Sequence, residues 1–447
     1  MMKMKKFAAA AAGLMLALSA AGAVCAVADY EAEKQAVGGK PTFEKYLVMD
    51  STAAVPNASF VFTVAPAAKP VDSVGDITLF DGIAGAKFAE GEGVTVGKDG
   101  KATVTFSPAD ETTQDVNAGT RTVMFADTEN NNEKFAVKTI TLDFSEVHFP
   151  NPGIYCYQIT EEAPTSAGIT NVSGTEYLYY VTVTDTNGTL SVDSYILQQG
   201  TSAPEIENVG ETNDPEDAGK KNSKKSTGIT NRYTTHSLDF NKLVDGNQGS
   251  RDKYFKFTLK LTDPAEGEAG HINVNDDDRY IIDAANSDFD PAPEGNIATV
   301  YTAENMTAAN SVDIHTDTDA DYQYLTYSEL AAGKTFYLHS NQNIKILGIP
   351  EGLGYEITED EENYTPSVTV HTDDGLDSDG TVDEANNKVT DAALTADAEI
   401  TFTNVRNGVI PTGILSTTAT SAGIVAGGLA GIISSVLYLK KKRSEDQ

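Results

Sequence analysis

The sequence predicts an all-β protein assembled from sandwiches, and three observations carry that prediction. Period-two alternation of apolar and polar residues dominates the 447-residue chain, helical periodicity is scarce, and the strand-like runs are short and numerous. Taken in order, Phe60-Val61-Phe62-Thr63-Val64 reads as a strand, followed by residues 101–106, 120–125, 135–144, 154–160 and 177–184. Asn187-Gly188 reads as a two-residue hairpin turn into 189–197, since both residue types accept the positive φ that such a turn demands. Strand signals stop over 199–226, where Gly, Pro, Glu, Asp, Asn, Ser and four lysines leave almost no large apolar side chain. This stretch is expected to be a long polar loop. Strands resume at 237–244 and 254–262, continue at 343–349, 355–358 and 367–372, and finish at 399–404.

Both ends carry targeting patterns. Lys3, Lys5 and Lys6 precede an Ala-rich apolar segment, and Ala26-Val27-Ala28 offers a small-x-small cleavage site, the pattern of a secretory signal peptide over residues 1–28. Cys25 leaves with that peptide, so Cys156 is the only cysteine expected in the mature chain and an internal disulfide is excluded. At the far end, Val409-Ile410-Pro411-Thr412-Gly413 leads into an apolar run from about Ala419 to Leu439, followed by Lys440-Lys441-Lys442-Arg443. Roughly 20 apolar residues suffice for a transmembrane helix, and the basic cluster marks its cytoplasmic side. A bare membrane anchor is one reading of this tail. The Pro-Thr-Gly ahead of the span favours another, in which a membrane-bound sortase cuts between Thr412 and Gly413. The tail resembles the sorting signals of Gram-positive surface proteins, with Val-Ile-Pro-Thr-Gly in place of the usual Leu-Pro-x-Thr-Gly, which leaves the sortase class open. The expected division is therefore a signal peptide over 1–28, one domain over 29–235, a second over 236–408, and a sorting signal with transmembrane helix and basic tail over 409–447.

The whole chain carries 32 Lys+Arg against 66 Asp+Glu, a net charge of −34. Removing the three lysines of the signal peptide, and the four basic and two acidic residues of the tail, leaves 25 against 64, or −39, over 29–412. Such a charge excludes nucleic acid as a partner and favours solubility. The six histidines show no metal-ligand spacing, and no P-loop or Gly-x-Ser-x-Gly elbow is present. The acidic stretches at 276–278, 317–321 and 373–383 read as solvated loops, because Gly375-Leu376-Asp377-Ser378-Asp379-Gly380 lacks the first acidic ligand and the closing Glu of an EF-hand. The expectation is no metal, no cofactor and no conventional enzyme.

The chemistry lies instead in an internal repeat. The first half has Phe43-Glu44-Lys45-Tyr46-Leu47, then Ile159-Thr160-Glu161-Glu162, then Ile229-Thr230-Asn231. The second has Phe240-Asn241-Lys242-Leu243-Val244, then Ile357-Thr358-Glu359-Asp360, then Thr401-Phe402-Thr403-Asn404. Lysine and glutamate are 116 positions apart in one half and 117 in the other. Strand residues two apart share a face, so Lys45 lies with Phe43 and Leu47, and Lys242 with Phe240 and Val244. By the same parity Glu161 lies with Tyr157 and Ile159, Glu359 with Tyr355 and Ile357, Asn231 with Ile229, and Asn404 with Phe402. Burial drives an amine to lose its proton and a carboxyl to keep one. A neutral lysine is a nucleophile, the asparagine amide carbon an electrophile, and a protonated glutamic acid polarises the carbonyl and shuttles protons as ammonia leaves. The alternative for each set is a buried Lys–Glu ion pair with Asn as a turn residue. Matched order, spacing and facing in two copies favour autocatalytic Lys–Asn isopeptide bonds.

These motifs, together with Val55-Pro56-Asn57-Ala58-Ser59-Phe60, Asp143-Phe144-Ser145-Glu146-Val147 and Pro152-Gly153-Ile154-Tyr155, resemble the two-domain major (backbone) pilins of streptococci and relatives. The resemblance spans nearly the whole mature chain. It implies tandem Ig-like Greek-key sandwiches, each crosslinked from first to last strand, with Lys45, Glu161 and Asn231 as one set and Lys242, Glu359 and Asn404 as the other. It also implies that a sortase joins Thr412 of one subunit to a lysine of the next, seven residues before Asn231. That count reaches Lys224, with Lys220, Lys221 and Lys225 as neighbours, and no Tyr-Pro-Lys-Asn motif decides among them. The partners implied are a sortase, further copies of the chain, peptidoglycan and, optionally, ancillary pilins. The location implied is the Gram-positive cell surface. A pilus shaft subunit is thus expected, with a singly wall-anchored adhesin that uses the same domains as a stalk as the alternative.

Overall fold

Apolar alternation becomes layered sheet throughout the computed structural model, which describes residues 41–114, 132–200, 202–204, 225–283, 285–287, 314–318, 322–360, 363–372 and 380–409. The signal segment, the expected strand at 120–125, residues 205–224 and the apolar tail lie outside the described residues. Through Arg406 the chain forms one compact unit. Its architecture is all-β, two sandwiches in tandem. Helix among the described residues is confined to the short Tyr327–Ala332, capped by Thr326 and Glu329, and a single 3-10 turn at Glu384–Asn386. None of it is long and apolar enough to cross a membrane.

In the first sandwich a five-stranded sheet runs in the order Ile169–Asn171, Gly228–Tyr233, Thr42–Asp50, Glu133–Asp143, Lys87–Ala89. The facing sheet runs Lys225–Ser226, Thr189–Gln199, Glu176–Thr186, Gly153–Glu161, Ala58–Pro66, Ala102–Phe106, Val94–Val96. Phe43 and Leu47 from one sheet meet Phe60, Phe62, Tyr157, Ile159 and Tyr179 from the other in a common core. Gly153–Glu161 and Glu176–Thr186 are apolar on both faces, so Cys156 faces away from that core into a smaller cluster with Leu79, Tyr180 and Ile196.

The second sandwich opposes a seven-stranded sheet to a five-stranded one. The first runs His315–Asp317, Tyr322–Thr326, Arg279–Ile282, Asn343–Pro350, Thr235–Asp245, Ala398–Val405, Thr365–Thr372. The second runs Lys334–Leu338, Phe255–Thr262, Gly354–Glu359, Lys388–Asp391, Thr381–Asp383. Leu238, Phe240, Phe257, Ile357 and Phe402 fill its core. In both sandwiches the first and last strands are parallel neighbours, Thr42–Asp50 beside Gly228–Tyr233 and Thr235–Asp245 beside Ala398–Val405. Parallel neighbours cannot be joined by a hairpin, so the remaining strands must lie between them in sequence. This arrangement brings the two ends of each sandwich side by side.

Asn187 and Gly188 adopt φ 57° and 84°, the left-handed pair required by a tight hairpin, and join Glu176–Thr186 to Thr189–Gln199 as expected. The long polar loop ends earlier than its composition suggests. Lys225–Ser226 pairs with Gln198 and Leu197 as an edge strand, a backbone ladder that needs no apolar side chain. Only Thr234 separates Gly228–Tyr233 from Thr235–Asp245. At this junction the buried Asp278 accepts from the backbone and side-chain amides of Asn57 at 2.7 and 3.0 Å, and Tyr233 Oη donates to the Gly348 carbonyl at 3.3 Å.

Candidate functional site: two buried lysine, glutamate and asparagine sets

Strand parity places Lys45 on the core face of Thr42–Asp50, where it is 0% exposed. The adjacent closing strand sets Asn231 opposite Leu47, two residues further along than the lysine. Glu161, the last residue of Gly153–Glu161, stands opposite Phe62 on the facing sheet. The three side chains converge from two sheets. Lys45 Nζ donates to Asn231 Oδ1 at 2.6 Å and lies 2.9 Å from Glu161 Oε1.

The second sandwich reproduces this geometry in different residues. Asn404 stands opposite Val244, again two residues beyond Lys242, and Glu359 stands opposite Phe257. Lys242 Nζ is 2.7 Å from Glu359 Oε1, and Asn404 Nδ2 donates to the same oxygen at 2.6 Å. The amides are presented differently: Asn231 turns its carbonyl to the amine, whereas Asn404 turns its amino group to the acid. All six expected residues are thus brought together in two sets of three, each residue at most 1% exposed.

Each amine also rests against two phenyl rings that sequence reasoning did not single out. Lys45 Nζ lies 4.3 Å from the ring centre of Phe60 and 5.8 Å from that of Phe62, and Lys242 Nζ lies 4.5 and 6.0 Å from those of Phe255 and Phe257. Aromatic residues two apart on the strand paired with the glutamate strand recur in both halves, a signal present in the sequence but read only as strand alternation. Asn171 was missed as well. It ends the three-residue strand Ile169–Asn171 opposite Asn231, and its Nδ2 donates to Glu161 Oε2.

Burial dominates the electrostatics. It pushes the Lys45 amine down to about 8 against the pull of Glu161, and the Lys242 amine down to about 8 against that of Glu359. Burial likewise raises the Glu161 carboxyl, opposed by Lys45 and by the neighbouring amides of Asn231 and Asn171. Both partners of the first pair are therefore drawn towards their neutral forms. A neutral amine at hydrogen-bond distance from a carboxamide, with a carboxylic acid alongside and water excluded, is the arrangement that amide exchange requires.

Thr412, Gly413, Lys224, Lys220 and Lys221 lie outside the described residues, and the backbone of Lys225 lies on the edge strand Lys225–Ser226. Among the described residues no group of three or more His, Cys, Asp or Glu is placed to hold a metal ion.

Residues 296–406 match a family model described as a domain of unknown function, DUF7601. Over 415 residues the chain is 26% identical to the pilin of Streptococcus pyogenes serotype M1, covering 91% of this chain and 92% of that one. Among solved structures, the major pilin from Streptococcus pyogenes is 22% identical with a TM-score of 0.46, over 83% of this chain and 99% of that one. The major pilin T3.2 from Streptococcus pyogenes serotype GAS13637 is 18% identical with a TM-score of 0.45, again over 83% and 99%. In sequence the chain is similar to the serotype M1 pilin along nearly its whole length.

Proposed function

We propose that the protein is the shaft subunit of a covalently polymerised surface pilus, stabilised by its own Lys45–Asn231 and Lys242–Asn404 isopeptide bonds and joined to its neighbours and to the cell wall by sortase. The observation that carries this reading is the paired geometry, one buried lysine, glutamate and asparagine set per sandwich, each spanning the first and last strands. Homology to a pilin over nine-tenths of the chain supports it.

In each set the proton of the ammonium passes to the carboxylate, leaving a neutral amine and a neutral acid. The amine nitrogen attacks the asparagine Cγ while the acid donates to its oxygen. The C–N bond to lysine forms, the bond to Nδ2 breaks, one lysine hydrogen departs on Nδ2, and ammonia leaves. The protein is a structural unit that modifies only itself, with the sorting motif at Thr412 and Gly413 as a substrate for sortase. Its partners are a sortase, copies of itself and peptidoglycan, and its place is the cell surface.

Intact mass tests the central claim. The folded protein is expected to weigh less than its mature sequence by two ammonia molecules, with crosslinked peptides joining Lys45 to Asn231 and Lys242 to Asn404. A mass equal to that of the sequence overturns the reading.

A further inference from the structure

Beyond the turn of the asparagine amide, the two sets differ at the position opposite that asparagine, and this difference assigns a role to a residue outside the triplets. We propose that Asn171 is a positioning residue for the first crosslink: by donating its amide N–H to Glu161 Oε2 it keeps the proton of the acid on Oε1, the oxygen that faces Lys45. The inference rests on the isopeptide reading above.

Asn171 and Asn231 are direct cross-strand neighbours, so their side chains leave the same face of the sheet towards Glu161. Oε2 accepts from Asn171 Nδ2, and Oε1 lies 2.9 Å from Lys45 Nζ. An amide N–H only donates, so a neutral Glu161 places its own hydrogen on the other oxygen, where it can reach the developing tetrahedral centre. Asn171 Oδ1 is buried with no hydrogen-bond partner. Were the amide turned over, that oxygen would draw the acid proton onto Oε2 and away from the reacting groups, so the orientation of one carboxamide selects the productive acid. The position that Asn171 holds is filled differently in the second sandwich. Pro366 stands opposite Asn404 there, and proline offers no side-chain donor.

The titratable groups that face Glu161 are Lys45 and Tyr177. Asn171 also favours the ionised form of Glu161, so removing it lifts that carboxyl further and moves the alkaline loss of acid function to higher pH. Atoms balance without it: the Lys45 Nζ–Asn231 Cγ bond forms, the Asn231 Cγ–Nδ2 bond breaks, and Glu161 regains the proton it lends as ammonia departs. Asn171 therefore sets rate and pH profile, and is not consumed.

The test follows both crosslinks in one chain. Full-length protein is synthesised in a cell-free system between pH 5 and 9, sampled into acid, digested, and assayed for the Lys45–Asn231 and Lys242–Asn404 peptides. Asn171→Ala is expected to slow the first crosslink about tenfold or more and to shift its alkaline limb upward, with the second crosslink unchanged. Asn171→Asp, which keeps the shape but sets a second carboxyl to compete for the proton, is expected to slow the first crosslink as well. An unchanged or faster first crosslink in Asn171→Ala, or slowing shared equally by the second, overturns the assignment. Absence of both crosslinks from the unsubstituted chain overturns the underlying reading instead, a result that the variant comparison cannot mimic.

Discussion

Burying a lysine is costly unless its charge is paired or lost, and Lys45 and Lys242 sit where both outcomes are within reach. Each glutamate serves only its own core, since the two clusters share no residue. Glu161→Ala is therefore expected to abolish the first bond alone and Glu359→Ala the second alone, read as a mass shortfall of one ammonia in each variant. Both bonds persisting in both variants would show that other carboxyls act. The unreacted amine also leaves a pH signature in Asn231→Ala, which retains Lys45 and has no electrophile. The unfolded chain holds the lysine proton up to its ordinary value near 10.4, while the folded chain releases it near 8. Between those values the unfolded state binds more protons, so stability rises with pH, by at most about 1.4 kcal/mol per unit. The raised Glu161 acts with opposite sign, since above its ordinary value the folded state binds the extra proton and stability falls as pH rises. In the crosslinked protein the amide nitrogen does not titrate. Thermal unfolding from pH 8 to 10 should climb in Asn231→Ala beyond any climb in the unsubstituted protein, and parallel curves would refute an unreacted, depressed Lys45. All six triplet residues were legible, because strand parity alone puts each on an apolar face. Asn171 was not, since its three-residue strand is too short to show alternation.

At the level of the element, the proposed crosslink would tie strands that are adjacent in space and distant in sequence. Lys45 and Asn231 are 186 residues apart, so the proposed bond would enclose nearly the whole first sandwich. The loop-entropy argument used for disulfides gives about 5 kcal/mol for a closure of that length. The bond depends on how closely two backbones approach. Gly228 faces Glu44 in the parallel ladder, and a Cβ there would lie 2.2 Å from the Glu44 carbonyl oxygen and 2.5 Å from Tyr46 Cε2. Gly228→Val should push the closing strand outward three residues before Asn231, costing about 1–3 kcal/mol and lowering the yield of the first crosslink with the second intact. Full yield of the first crosslink in peptide mass spectra would show that the strand pair tolerates the separation. The long strands were legible because a run such as 135–144 spans several alternations. Ile169–Asn171, Lys87–Ala89 and Val94–Val96 span one or two, and Lys225–Ser226 is held by backbone pairing that side chains do not advertise. Thr326 and Glu329 cap Tyr327–Ala332 as a capping box, and the six-residue helix has no apolar period of its own to announce it in the sequence.

For the whole molecule, the proposed bonds define a path for force. Asn231 and Lys242 are 11 residues apart, joined through Thr234 at the junction of the sandwiches, and Thr412 follows Asn404 by eight. Tension that enters near Asn231 and leaves at Thr412 would cross the second sandwich through its crosslink, leaving the hydrogen-bonded strands between unloaded. The economy of that path depends on where the preceding subunit attaches. Attack on a sortase-bound acyl group at Thr412 needs an accessible amine, and Lys220, Lys221, Lys224 and Lys225 lie within twelve residues ahead of Asn231, where no intervening sandwich bears load. The backbone of Lys225 pairs opposite Gln198 at the end of its sheet's strand order among the described residues. A Lys224→Ala/Lys225→Ala chain is expected to fold, to lose both ammonia molecules and to reach the wall through Thr412, because both lysines fall outside the alternating apolar pattern of the sequence and the sorting motif is untouched. It is expected to fail only in polymerisation. Immunoblots of wall extracts boiled in detergent should then show one band where the unsubstituted protein gives a ladder. A surviving ladder, with tandem mass spectra placing Thr412 on a lysine outside 220–225, would relocate the linkage and lengthen the loaded path. A single band from the unsubstituted protein would instead identify a singly anchored stalk, whose two crosslinks resist pulling on one molecule and not on a fibre.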